Sequence, residues 1–320
     1  MKSVNLGNSG MEVSAMSLGC MYFGTKLNEG DSFALLDHYY EAGGRFLDTA
    51  NNYAIWAEGG RGGESEAAVG QWLKERGNRH EMVIATKVGA MPTIPGTGLE
   101  HVEGLSAKAI EKAVDESLIR LGTDYIDLYY AHIDDRQTRL EETLEAFDRL
   151  VRAGKVRQIG CSNMMTWRIE QAKHISHSNG WAAYCCVQQR YSYLRPKAGA
   201  DFGLQVVAGQ ELLDYCKTNE DMTLVAYSPL LHGAYTDNLA KYPVKYVTLD
   251  NDARYATLEK VAQEKGATKN QVVLAWMLQS TPRVIPVIGV STLEQLQENL
   301  GAFHVELSAA EMKELNEAMA

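Results

Sequence analysis

One pattern constrains this chain more than any other. Apolar runs of strand length recur along it, each followed by a stretch with helical periodicity. The runs begin near Val13, Arg45, Met82, Tyr125, Val156, Tyr184, Thr223 and Val284. Most are continuously apolar rather than alternating, as parallel strands covered on both faces must be. Eight β/α units suit a closed barrel of ~250 residues plus insertions, and the chain has 320 residues. The expected fold is an α/β (β/α)8 TIM barrel, a single domain over residues 1–320. An N-terminal β-hairpin around GNSG, over residues 6–13, would lie across the bottom of the barrel.

Helix ends are marked as well. Ser106 is placed to cap a helix that Gly122 ends, with Ile110, Ala113, Val114, Leu118 and Leu121 on one face. Capping boxes are expected at Thr138 with Glu141, Thr268 with Gln271, Ser291 with Glu294, and Ser308 with Glu311. Long loops interrupt the rhythm after strands 2, 6 and 7, at residues 54–63, 190–209 and 228–252. All three would rim the carboxyl ends of the strands, where a barrel carries its chemistry.

Composition excludes several functions. A chain 45% hydrophobic can bury a large core without metal or disulfide support. A net charge of −10 argues against a duplex-binding surface. The five cysteines form no CxxC pair, which suits a reducing compartment. No apolar run approaches membrane-span length, and the N-terminus lacks an apolar signal core. The expectation is a cytoplasmic protein acting on a small molecule, with no nucleic-acid or membrane partner and a monomer by default.

The chemistry gathers at strand ends. Asp48 closes RFLD, Tyr53 follows it across a short loop, Lys87 closes MVIATK, and His132 closes YIDLYYAH. A phenol titrates near pH 10, and a nearby ammonium is expected to lower that value. Asp48 would hold the ammonium in place, and His132 would orient a carbonyl oxygen. Together they could polarise C=O and protonate its oxygen. Hydride must come from elsewhere, since no side chain supplies it. Taken singly, each residue has a plainer role: Asp48 as a turn cap, Tyr53 and His132 in packing. Their joint arrival in this order is what favours catalysis.

These segments resemble the aldo-keto reductase family. GGRFLDTANNY, GGESEAAVG, IATK, DLYYAHIDD, GKVRQIGCSN, VQQRYSY, LVAYSPL and IPVIGVSTLEQLQEN follow in the family's order. The resemblance implies that Asp48, Tyr53, Lys87 and His132 are catalytic, and that the enzyme interconverts an aldehyde or ketone and its alcohol with NADP(H). It further implies that Ser162, Asn163 and Gln188 hold the nicotinamide carboxamide and that Tyr227 stacks on its ring. Ser228, Leu230 and Gly233 would line the pyrophosphate, and Gly289, Ser291, Gln295, Glu298 and Asn299 the adenosine end.

Two departures stand out. The run from Gly289 to Asn299 carries no Lys or Arg for a 2′-phosphate, so NAD(H) competes with NADP(H). The loop after Tyr53 is longer than the family's short link. Tyr22, Trp56, Tyr191, Tyr193 and Arg195 are candidate substrate-pocket walls, suited to sugars, glycosides, polyketides or ring ketones. No GxGxxG fingerprint is present. A metal-dependent hydrolase is poorly served by His132, Asp134 and Asp135 alone, so no metal site is expected. The remaining rival is a cofactor-binding regulatory subunit or redox sensor of low turnover.

Overall fold

The computed structural model describes residues 1–94, 96–236 and 243–319. Two short strands open the chain, β1 (Ser3–Asn5) and β2 (Glu12–Ser14), paired antiparallel with Val4 opposite Val13. Eight parallel strands then close a barrel. In order they are β3 (Ser17–Gly19), β4 (Phe46–Asp48), β5 (Val83–Val88) and β6 (Ile126–Ala131). They continue as β7 (Val156–Ser162), β8 (Tyr184–Arg190), β9 (Thr223–Tyr227) and β10 (Val284–Gly289). Strand β10 pairs with both β9 and β3, which completes the closure.

Helices α1 (Glu29–Glu41), α2 (Glu64–Arg76), α3 (Ala107–Leu121), α4 (Leu140–Arg152) and α5 (Thr166–Asn179) follow the first five barrel strands. The second half adds α6 (Gln210–Thr218), α7 (Leu249–Lys265), α8 (Lys269–Gln279), α9 (Leu293–Leu300) and α10 (Ala309–Glu317). The Ser106 hydroxyl accepts from the Ala109 amide, and Gly122 ends α3 in the left-handed region, as the sequence suggests. Capping boxes form at Thr268 with Gln271 and at Ser308 with Glu311.

Three local expectations are corrected. Val13 lies in the hairpin, and the first barrel strand starts at Ser17, because two short apolar stretches only a few residues apart read as one run. Thr138 does not cap α4: its hydroxyl donates to Asp135 at 2.8 Å, and Arg139 takes the cap position. Ser291 does not cap α9 either. Thr292 does, accepting from the Gln295 amide, while the Ser291 amide donates to the Gln295 side chain. The part of the 228–252 loop at residues 237–242 lies outside the described residues.

Two apolar layers hold the barrel. Leu36, Trp72, Ile110, Leu144 and Val273 pack helices onto the outer strand faces. Inside, Phe46, Ala85, Leu128, Tyr130 and Ile285 meet Val4, Leu6, Val13 and Ala15 of the N-terminal segment, which plugs the amino end of the barrel. The Gly7 amide reinforces the plug by donating to Thr223 Oγ1 at 2.7 Å. Gly160 of β7 makes room for this interior: a Cβ there would stand 2.6 Å from the Tyr130 ring and 2.8 Å from Cys186 Sγ. Phe46 is wholly buried, two residues before Asp48 and on the same strand face. Phe46→Ala should therefore lower unfolding free energy by ~3–5 kcal/mol. The check is a denaturant midpoint that falls at unchanged slope.

Candidate active site

Strands β4, β5 and β6 are neighbours, and their carboxyl ends deliver the four expected groups to one place. Lys87 is completely buried on β5. A buried ammonium must spend all three N–H donors, and this one does. Nζ donates to Asp48 Oδ1 at 2.5 Å, to the Thr49 carbonyl at 2.7 Å and to Tyr53 Oη at 2.9 Å. The Tyr53 hydroxyl itself donates to Asp48 Oδ1 over a longer 3.4 Å. The second carboxylate oxygen, Asp48 Oδ2, accepts from Gln188 Nε2 at 2.7 Å. Gln188 thus sits beneath the same cluster that the nicotinamide pocket is expected to touch.

His132 follows β6 and sets its ring edge-on to Tyr53, with centroids 6.1 Å apart. Its Nδ1 is buried and has no hydrogen-bond partner among the described residues. Burial and the charge of Lys87 hold the imidazole well below its ordinary pKa. The ring is therefore neutral near pH 7 and keeps one N–H to donate.

Burial pushes the Tyr53 phenol well above its ordinary range, and the Asp48 carboxylate adds to the rise. This reverses the expectation that Lys87 lowers it. The ammonium is matched at 2.5 Å by Asp48, so little net positive field reaches the phenol. Burial also draws Lys87 below its ordinary value, with Asp48 opposing. At neutral pH the phenol keeps its proton, which is the form a proton donor needs.

The other expected residues surround this cluster. The Ser162 hydroxyl donates to the Gln188 carbonyl at 2.8 Å. The Asn163 amide nitrogen donates to the His132 carbonyl and to Ser162 Oγ, both at 3.0 Å. Its oxygen accepts from Tyr227 Oη at 2.8 Å and from the Val206 amide at 3.1 Å. The Asn163 amide is thus fully engaged inside the chain. Asn163 and Ser228 adopt left-handed backbone, as do Ala54, Leu231 and His232. All five lie in loops after β4, β7 and β9, so backbone strain is concentrated at this end of the barrel. Leu230 accepts from the Gly233 and Ala234 amides in a tight turn.

Gly289 ends β10 exposed, although its strand neighbours are buried, and nothing lies within 4 Å of where its Cβ would stand. Beyond it, Glu298 accepts from Asn270, and Asn299 is buried. Open space at a strand end, an unpartnered imidazole nitrogen and a carboxamide-rich floor fit a dinucleotide. Among the described residues, no group of three or more His, Cys, Asp and Glu is placed to hold a metal ion.

The pocket walls divide. Tyr22 and Trp56 line a cavity of about 620 Å³ together with Lys26 and Glu64. The Trp56 ring also lies 5.9 Å from that of Tyr53. Tyr191 and Tyr193 are corrected: both pack on Trp276 of α8, at 5.7 and 5.4 Å, and Tyr193 is buried. Both rings lie beyond the end of β8 and face that helix. Arg195 is exposed, and its backbone is tied to Asn251. A shallower depression of about 690 Å³, lined by Arg79 and Tyr125, lies at the opposite end of the barrel, away from the four residues.

Sequence reasoning missed two contributors. The Thr49 carbonyl holds Lys87 through main chain, which leaves no residue-type signal. Glu103 lies in a further long loop, between β5 and α3. Its Oε1 accepts from Asn51 Nδ2 and the Gly89 amide, both at 2.8 Å, and so ties the turn that carries Tyr53 to the end of β5.

A sequence model described as the Aldo/keto reductase family matches residues 15–320. The chain belongs to the aldo-keto reductase family. It is 34% identical over 330 residues to norsolorinic acid reductase stcV of Emericella nidulans, covering 97% of this chain and 79% of that one. It is 33% identical to the oxidoreductase YrpG of Bacillus subtilis, covering 99% and 95%. The thermostable aldo-keto reductase Tm1743, solved with the inhibitor epalrestat, superposes with a TM-score of 0.78 at 30% identity. That alignment covers 99% of this chain and all of the other. As an aldo-keto reductase the chain is an oxidoreductase that reduces carbonyl compounds with a nicotinamide cofactor. No described helix is long and apolar enough to cross a membrane.

Proposed function

We propose that this chain, as one barrel domain over residues 1–320, interconverts an aldehyde or ketone and its alcohol with NADP(H), with Tyr53 as proton donor and acceptor. The observation that carries this reading is the contact of Tyr53 Oη with the fully satisfied Lys87 ammonium at 2.9 Å. When bound, the nicotinamide supplies hydride to the carbonyl carbon. Everything else falls to the chain's own residues. His132 donates its N–H to the carbonyl oxygen and aligns it. Tyr53 delivers its proton to that oxygen as negative charge builds there. Lys87 then faces the phenolate, and Asp48 keeps the ammonium aimed. Gln188 and Ser162 would hold the carboxamide, with Tyr227 against the ring. Ser228, Leu230 and Gly233 would follow the diphosphate, and Gly289, Ser291, Gln295, Glu298 and Asn299 the adenosine. Tyr22 and Trp56 support a flat or ring-bearing carbonyl as substrate.

A carbonyl panel that includes norsolorinic acid, followed by NADPH and NADH absorbance in parallel, tests the reading. Turnover with no member, with neither coenzyme bound, would sink it. The pH dependence has a definite sign. Reduction needs the protonated phenol, so kcat/KM should stay level from about pH 6 into the alkaline range and fall only as Tyr53 ionises. Alcohol oxidation needs the phenolate and should rise with pH. A reduction limb near pH 6.5, where an ordinary histidine titrates, would contradict the neutral His132.

A further inference from the structure

Three cations are buried among the described residues, Lys87, Arg254 and Arg190. Lys87 faces the Asp48 carboxylate. Arg254 has no carboxylate partner, and main-chain carbonyls of Tyr193 and Ala318 hold it. Arg190 also lacks one. It is 8% exposed and ends β8, on the strand face that carries Gln188. Its Nε donates to Tyr246 Oη and its Nη1 to Gln205 Oε1, both at 3.1 Å. The Phe202 ring lies 4.8 Å from the guanidinium carbon. These partners are neutral, Nη2 has no described partner, and no carboxylate among the described residues is within ion-pair distance.

Such an arrangement is expensive without a counter-charge. Desolvating a guanidinium costs several kcal/mol, and neutral oxygens return only part of it. A planar fork with one arm free, at the catalytic end of a barrel, is suited to an oxyanion. The position indicates which one. Arg190 pairs in register with Tyr227, directly before the strained turn that starts at Ser228. Burial raises the Tyr227 phenol and lowers the His232 imidazole, and the Arg190 charge opposes the first shift and adds to the second, as a cation near that turn must.

We propose that Arg190 is an oxyanion-binding residue between the loops after β8 and β9, and that its counter-charge is a phosphoryl group of the bound dinucleotide. The choice of ligand rests on the dinucleotide reading above. The site itself rests only on the uncompensated cation.

The test uses the full chain with Arg190→Met and Arg190→Lys. NADPH, ADP-ribose and inorganic diphosphate are titrated by intrinsic fluorescence or calorimetry, and unfolding is followed in denaturant without ligand. Expected is a Kd for NADPH and ADP-ribose weaker by about 10- to 100-fold in Arg190→Met. Arg190→Lys should lose less, and ligand-free Arg190→Met should be at least as stable as wild type. A parallel arm compares kcat/KM for 4-carboxybenzaldehyde and benzaldehyde. Loss confined to the carboxylated aldehyde, with Kd unchanged, would keep the oxyanion site but assign it to substrate. Unchanged values in both arms would overturn the proposal, as would lost stability with unchanged Kd, which marks a purely structural arginine. Wild-type protein that binds no dinucleotide would instead sink the functional reading.

Discussion

Tyr53→Phe should lower kcat for carbonyl reduction by roughly 10²- to 10⁴-fold, the usual worth of a positioned proton donor, and leave the Kd for NADPH unchanged. The substitution removes one oxygen and little else. The ring can keep its contacts with Trp56 and His132. Lys87 loses one of three acceptors but retains Asp48 and the Thr49 carbonyl. The unpaired N–H should cost ~1–3 kcal/mol of stability, which the melt separates from lost turnover. The alkaline fall in reduction should disappear with the group that causes it. Steady-state kinetics, fluorescence titration and a denaturant melt together decide the point. Near wild-type kcat at neutral pH would mean that another group supplies the proton.

What could be read in the residues before the fold was known, and what could not, follows from the range of each interaction. Asp48, Lys87 and His132 end apolar runs, and period alone places those ends together once a barrel is inferred. Helix ends written in adjacent residues, such as Ser106 with Gly122, are equally visible. Errors arose where two local solutions compete. Ser291 and Thr292 both offer a hydroxyl at the start of α9, and Gln295 answers both, its amide to Thr292 and its side chain to Ser291. Tyr193 looked like a pocket wall because it lies in a long loop after a strand. Only the position of Trp276, 83 residues onward, shows that it faces a helix. The pKa direction of Tyr53 was not legible because it is set first by burial, with Asp48 adding to the rise, and neither the depth nor that distance is written in local sequence. Arg190 carried no signal because its meaning lies in the absence of a partner.

Lys87→Met should be the most damaging single change at the site, in stability and in turnover alike. It removes the cation and leaves Asp48 as a buried carboxylate with Gln188 as its principal donor. Breaking a buried pair from one side costs ~3–5 kcal/mol. Turnover falls for a different reason: without the ammonium, Asp48 raises the Tyr53 phenol further, and the phenolate left after proton transfer faces a carboxylate alone. Alcohol oxidation, which starts from that phenolate, should suffer more than reduction. The two effects separate in the double variant Lys87→Met with Asp48→Asn. No charge remains in the buried cluster, Gln188 can still donate to the new amide oxygen, and most of the lost stability should return. Turnover should not, because nothing then stabilises the phenolate. Recovery of kcat along with the melting midpoint would reduce the ammonium–carboxylate pair to scaffolding and leave the proton chemistry to Tyr53 and His132 alone.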